Sequence, residues 1–146
     1  MAKTSARRKT KIFGDTSPCP CGLGQAYGEC CGPAHRGHGP ATATALMRSR
    51  YSAFALDDAA YVLSSWHPST RPESVEPDPG MRWVGLDLLE TVGGGLLDAE
   101  GVVEFRAHYR DGGRPGEMRE RSRFVRHEGA WVYWGPILGN GTLANI

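Results

Sequence analysis

An α+β fold, with helices packed on an antiparallel sheet, is predicted by three features of the sequence. Apolar residues recur at helical spacing between residues 42 and 66. From residue 82 onward they alternate with polar residues in stretches separated by glycine-rich turns. Ahead of both lie four cysteines, Cys19, Cys21, Cys30 and Cys31, within thirteen residues. Helices followed by a run of strands place a helical layer on one face of an antiparallel sheet. The composition, 40% hydrophobic and 23% charged over 146 residues, fits one ordinary domain with a small appendage. The apolar runs fall well short of the roughly 18 residues that cross a bilayer, so membrane insertion is not expected.

Residues 1–16 read as a flexible basic arm. Lys3, Arg7, Arg8, Lys9 and Lys11 put five positive charges in the first eleven residues, and because the whole chain carries +1 the remainder carries −4. A terminal basic segment is first of all a solvated tail; contact with RNA or the ribosome through residues 1–12 is the alternative. The acidic remainder argues against a broad nucleic-acid surface elsewhere. Residues 17–35 hold the cysteines, and residues 36–41, Arg-Gly-His-Gly-Pro-Ala, form a linker. The main domain is residues 42–146.

Thr42 or Thr44 can cap a helix whose stripe is Leu46, Met47, Tyr51, Phe54 and Ala55. Asp57 can cap a second helix through Tyr61, Val62 and Trp66. Pro68, Pro72, Pro77 and Pro79 then break helix, which makes 67–80 a loop or a short helical turn. Residues 83–92 are the first strand, turned by Gly93-Gly94-Gly95. Residues 102–110 alternate cleanly, with Val103, Phe105, Ala107 and Tyr109 on one face and Glu104, Arg106, His108 and Arg110 on the other. A hairpin loop over 111–116, a return strand over 117–128 and a last strand over 130–134 complete the sheet.

The cysteines specify chemistry. Two thiol pairs joined by a short glycine-rich turn build a tetrahedral soft-metal site, and four thiolates around zinc make a closed, structural centre. With no position left for water, hydrolysis at this metal is not expected. Two disulfides are the alternative. They belong to oxidising compartments, and the N-terminus offers no apolar export segment, so the cytoplasm is the expected location. Adjacent Cys30 and Cys31 also pair poorly with each other. His35 or His38 could replace Cys31 as fourth ligand.

The segment Cys19-Pro20-Cys21-Gly22-Leu23-Gly24-Gln25, followed by Cys30-Cys31, resembles the SEC-C zinc motif named for the tail of the SecA translocation motor. Residues 17–146 as a whole resemble the bacterial YchJ family. The stretches that carry the likeness are 46–54 (Leu-Met-Arg-Ser-Arg-Tyr-Ser-Ala-Phe), 66–70 (Trp-His-Pro-Ser-Thr), Trp83–Leu86, Val103–Phe105 and 120–124 (Glu-Arg-Ser-Arg-Phe). The resemblance implies that Cys19, Cys21, Cys30 and Cys31 bind zinc. It also implies that 42–146 is a domain like nuclear transport factor 2, a cone of curved sheet around helices. It implies no activity. In the translocation motor the motif contacts an export chaperone and the ribosome, so a protein partner related to export or the ribosome is the expectation here. This sequence departs from the motif's usual form at Leu23, normally serine, and Gln25, normally lysine.

A cone of this kind often holds a pocket, mainly apolar with a few polar groups. His67, Glu104 and Glu120 are the candidate pocket residues, with Arg106, His108 and Arg121 beside them. Each has a plainer reading: His67 as a helix-end cap, the charged strand positions as a solvated face, and Glu120 in an ion pair with an arginine such as Arg106. Arg48 and Arg50, near the start of the first helix, could bind an anion, with a surface or ion-pair role as the plainer reading. No catalytic constellation is assigned. A zinc-binding accessory protein is the leading expectation, and a small-molecule or enzymatic pocket in the cone is the alternative. Nothing in the sequence fixes the oligomeric state.

Overall fold

The structure, a computed structural model, describes residues 12–138. Most of the basic arm, 1–11, and the last eight residues, 139–146, lie outside the described residues. The element order is a 3₁₀ turn (Tyr27–Glu29), α1 (Gly32–His35), α2 (Ala43–Ala55), α3 (Ala59–Ser64), β1 (Met81–Gly93), β2 (Glu100–Asp111), β3 (Arg114–His127) and β4 (Ala130–Pro136). The strands form one antiparallel sheet in chain order, β1-β2-β3-β4. Helices do come first and the meander second.

Thr42 caps α2, its hydroxyl accepting from Ala45 N–H. The cap of α3 is Asp58, one residue later than the sequence suggests. Asp57 is instead the residue with φ 58° that reverses the chain between the two helices. The hairpin loop expected over 111–116 shrinks to two residues. Gly112 (φ 59°) and Gly113 (φ 87°) both occupy the left-handed region that a tight hairpin turn requires, so pairing continues out to Asp111 and Arg114. Pro115 is tolerated inside β3 because β4 pairs with that strand only from Ser122 onward.

The alternation of β2 settles the faces of the sheet. Val103, Phe105 and Ala107 are buried against α2, and the matching positions of β3 are Ser122, Glu120 and Met118. Two register shifts in β1, between Trp83 and Gly85 and between Leu88 and Glu90, bring Trp83, Leu86 and Leu88 onto the same inner face. Leu46, Met47 and Tyr51 of α2 meet that face, and Phe124, Trp131 and Tyr133 close the core. Backbone approach is closest where the β1–β2 hairpin touches the start of α2. Ala43 N–H donates to Gly94 O at 2.9 Å, and a Cβ placed on Gly101 would lie 2.5 Å from the Gly94 Cα.

The cysteine segment is docked on the body. Cys19, Cys21 and Cys31 belong to the same buried cluster as Leu46, Met47 and Tyr51. Its boundary also starts earlier than 17. Phe13 stacks edge-on to Tyr27 at 4.9 Å, and Asp15 O accepts from Gly28 N–H at 2.9 Å, so residues 13–16 belong to the knuckle and not to the arm.

Candidate metal centre and inner cavity

The turn after Cys19 brings the thiols together. Gly22 N–H donates to Cys19 O, Cys19 N–H to Gln25 O, and Gly22 and Gly24 take positive φ that a side chain would resist. Cys30 and Cys31 follow the 3₁₀ turn, Cys30 N–H donating to Tyr27 O. The four Sγ atoms all lie within 4.8 Å of one another, with Cys21 and Cys30 at 3.5 Å. A tetrahedron with metal–sulfur bonds of about 2.3 Å has sulfur–sulfur edges of about 3.8 Å, so the cluster fits a single ion after small shifts. Leu23 N–H and the neighbouring thiols donate to the Cys21 sulfur.

Charge adds a second argument. The Cys31 thiol, hydrogen-bonding Cys21, is the largest of several contacts that pull Cys21 down to about 4 against its burial. Burial pushes Cys30 up to about 12, helped by its hydrogen bond to Cys21. Cys31 is pushed up by its hydrogen bond to Cys21 and then by burial. Cys30 and Cys31 are thus pushed up beside a Cys21 that is pulled down. Further ionisation requires a cation among them, and the donor set suits a soft divalent metal.

His35 is not a ligand. Its Nε2–H donates to Ser49 O at 2.8 Å, a carbonyl that can only accept, which leaves Nδ1 to accept from the Tyr27 hydroxyl. Its ring also packs on Tyr61 at 4.6 Å. His35 therefore bolts the knuckle to α2 and α3. His38 is exposed and stands outside the cluster. Arg48 reaches across from α2 to donate to Cys21 O at 3.1 Å.

The pocket residues expected from the sequence separate. Glu104 is on the outer face of the sheet, bound to Arg119 and Arg121, with Glu90 on the same arginine. The two-residue period of β2 puts it opposite Phe105 and away from any cavity. His67 is also outside. Its Nδ1 accepts from Ser69 N–H and its ring lies 4.8 Å from both His127 and Trp134, so it closes a turn and caps no helix carbonyl. Arg106 pairs with Glu117 rather than Glu120, and His108 with Asp87, both on the outer face.

Glu120 does face inward. It lines a cavity of about 220 Å³ beneath α2 whose walls are Met47, Phe54, Phe105 and Met118. Its Oε2 accepts from the Ser122 and Tyr133 hydroxyls, both at 2.6 Å. Burial, with the Glu120 charge beside it, pushes Tyr133 well above the usual phenol range. Facing Glu120 is Arg50, whose plainer reading was a surface or ion-pair residue but which is only 4% exposed. Nη1 of Arg50 donates to Val62 O and Ser65 Oγ, both at 2.8 Å, and its guanidinium lies over the rings of Tyr133 (4.4 Å) and Trp66 (5.0 Å). Burial lowers its pKa to about 10. The sequence did carry a signal for this arginine. It falls between Met47 and Phe54 at helical spacing, on the apolar stripe of α2.

Comparison with known proteins agrees with this geometry. Residues 42–136 match the family description "YchJ, middle NTF2-like domain", and residues 16–33 match the SEC-C motif. A UPF0225 protein of Streptomyces coelicolor is 54% identical over 119 residues, covering 81% of this chain and 93% of that protein. One from Cupriavidus pinatubonensis is 44% identical, covering 94% and 99%. Among solved structures, a SEC-C motif containing protein from Rhodopseudomonas palustris superposes with a TM-score of 0.71 at 33% identity, covering 82% of this chain and 96% of that one. Another from Psychrobacter arcticus gives 0.68 at 21% identity, covering 92% and 88%, a likeness of fold.

Proposed function

The chain belongs to the YchJ family, and from that premise we propose that it is a zinc-binding accessory protein whose SEC-C knuckle docks on a protein partner, the sheet domain serving as its rigid carrier. The observation that carries this reading is the closed set of four cysteine sulfurs, which leaves a bound zinc no open position for chemistry. The metal's part is to fix the turn that displays residues 22–25. Leu23 at its tip is half exposed, and Gly22, Gly24 and Gln25 around it are exposed. Residues 22–29 carry no basic side chain and one acid, Glu29. The contact is therefore apolar at its centre, built on Leu23, and differs from the basic surface usual in SEC-C motifs. Partners related to export or to the ribosome follow from that motif's use elsewhere. Location in the cytoplasm is part of the same proposal; among the described residues no helix is long and apolar enough to cross a membrane.

Native mass measurement before and after chelation tests the metal. One zinc per chain, lost on chelation and absent from Cys31→Ser, is expected; a mass lower by about four hydrogens with no metal would mean disulfides instead. Crosslinking in cells with wild type and Leu23→Asp tests the docking. The tip variant keeps its zinc and loses the crosslinked partner. Recovery of the same partner in the same yield from Leu23→Asp or Cys31→Ser would end this reading.

A further inference from the structure

We propose that the cavity beneath α2 binds a small carboxylate that carries a hydrogen-bond donor on the neighbouring carbon and an apolar side chain, the chemistry shared by 2-amino and 2-hydroxy acids. The inference is independent of the knuckle and of its partner.

It starts from an unbalanced hydrogen-bond inventory. Among the described residues, Arg50 hydrogen-bonds protein acceptors only through Nη1, so Nε and Nη2 donate to none. The indole Nε1 of Trp66, in the same lining, is buried and also without a partner. Buried N–H groups are nearly always satisfied, so the unmet Trp66 indole is costly where it stands. On the acceptor side, Glu120 spends Oε2 on two hydroxyls and leaves Oε1 with no donor. Arg50 and Glu120 line one cavity, yet no ion pair joins them. Aromatic rings cover the guanidinium faces at Tyr133 and Trp66, which leaves its edge for an acceptor.

Those gaps describe a ligand. An acid group offers two oxygens to the Arg50 edge and the Trp66 indole, where planar fork geometry favours carboxylate. A donor one carbon away meets Glu120 Oε1. A 2-amino acid is a zwitterion, so it also keeps a cavity holding one positive and one negative side chain electrically balanced. Met47, Phe54, Phe105 and Met118 then receive an apolar side chain of leucine size. The volume of about 220 Å³ exceeds the roughly 150 Å³ of an apolar cavity that takes up benzene. Phe54 and Met118, the most exposed of these walls, mark the way in.

The zinc-loaded full chain is titrated with L-leucine, 2-hydroxy-4-methylpentanoate, 4-methylpentanoate and 3-methylbutylamine while the indole N–H signal of Trp66 is followed by NMR, Trp66→Phe giving the assignment. At least one of the first two shifts that signal, and the two compounds that lack one group bind at least about tenfold more weakly, as expected for one lost charged hydrogen bond. L-Leucine alone assigns the donor as an ammonium; equal binding by the hydroxy acid assigns a hydroxyl. Glu120→Gln, which preserves shape, weakens the amino acid more than 4-methylpentanoate. Met118→Trp fills the cavity and abolishes the shift while the melting temperature is kept. No shift with either 2-substituted acid, equal binding of 4-methylpentanoate, or an unchanged titration of Glu120→Gln would overturn the proposal.

Discussion

The knuckle and the sheet share one buried cluster but are held together by different physics. The sheet has three long antiparallel ladders and a face of large side chains, including Phe105, Phe124 and Tyr133. The knuckle has a 3₁₀ turn, the four-residue α1 and a few backbone hydrogen bonds, and the side chains it buries best are its own cysteines. A segment that short cannot offset the entropy of ordering by burial alone. The difference teaches that, under the proposed metal binding, the cysteines are a condition of folding in one region, while in the other the fold stands on apolar packing.

The largest effect that would break this comparison is metal removal. Chelation should erase amide exchange protection at Cys19, Tyr27 and Cys30 while Phe105 and Phe124 remain protected. Structural zinc contributes on the order of 10 kcal/mol to small zinc-bound modules, so the knuckle should open locally under conditions where the sheet does not. Uniform loss of protection across the chain would show one cooperative unit. Next in size is the sheet's own core. Phe124 is fully buried between the strands and the helical layer, and Phe124→Ala should destabilise by about 3–5 kcal/mol in denaturant melts of the zinc-loaded protein. Metal stoichiometry should stay unchanged. Loss of zinc at room temperature from a folded Phe124→Ala protein would mean that the knuckle depends on the sheet more than its own ladder of contacts suggests.

What the sequence made legible follows the same division. The cysteine cluster was readable because ligand spacing is a local property, and the helix-then-strand order because periodicity is local too. Glu104 was misplaced as a pocket residue because alternation defines two faces without saying which one helices cover; only the packing of α2 on Phe105 decides it. His67 sits in a segment that pairs with β4, His67 N–H donating to Tyr133 O, a non-local contact that turns its ring outward. Arg50 was read first as a surface or ion-pair residue, with an anion as the alternative partner, because arginine is usually exposed. Its burial depends on Val62 and Ser65 at the end of α3 and on Tyr133 of β4, which are distant in the chain. Glu120 was found, but with a wrong partner, since a strand pattern cannot foresee a Tyr133 hydroxyl arriving from the next strand.

A smaller effect sharpens how the two regions are joined. Gly101 and Gly94 touch at the hairpin that supports the start of α2, and a methyl on Gly101 would also press Ala43 Cβ at 3.2 Å. Gly101→Ala should cost about 1–3 kcal/mol through overpacking. Because Ala43 begins the helix on which the knuckle docks, the same variant should also speed zinc release to a chelator. A destabilised variant with unchanged release kinetics would uncouple the hairpin from the knuckle.

The smallest effect belongs to the outer face, where charge is abundant and Glu104 is paired on both sides. Glu104 lies between Arg119 and Arg121, and Arg121 also holds Glu90. The hydrogen bond from Arg119, aided by its charge and by Arg121, keeps the Glu104 carboxyl below its ordinary range against the cost of desolvation. A lowered folded-state pKa means that the interaction is fully present above the unfolded value of about 4.3 and is lost as pH falls through the folded one. Glu104→Gln should therefore lower the melting temperature slightly at neutral pH and not at all at strongly acid pH. Added salt should narrow the neutral-pH gap, since exposed pairs are screened. The contrast with Arg50 is the point of the measurement. A half-buried carboxylate flanked by two arginines is explained once its pairs are counted, whereas a buried guanidinium with a free edge is not. A melting gap for Glu104→Gln that persists at acid pH would give Glu104 a packing role and remove that contrast.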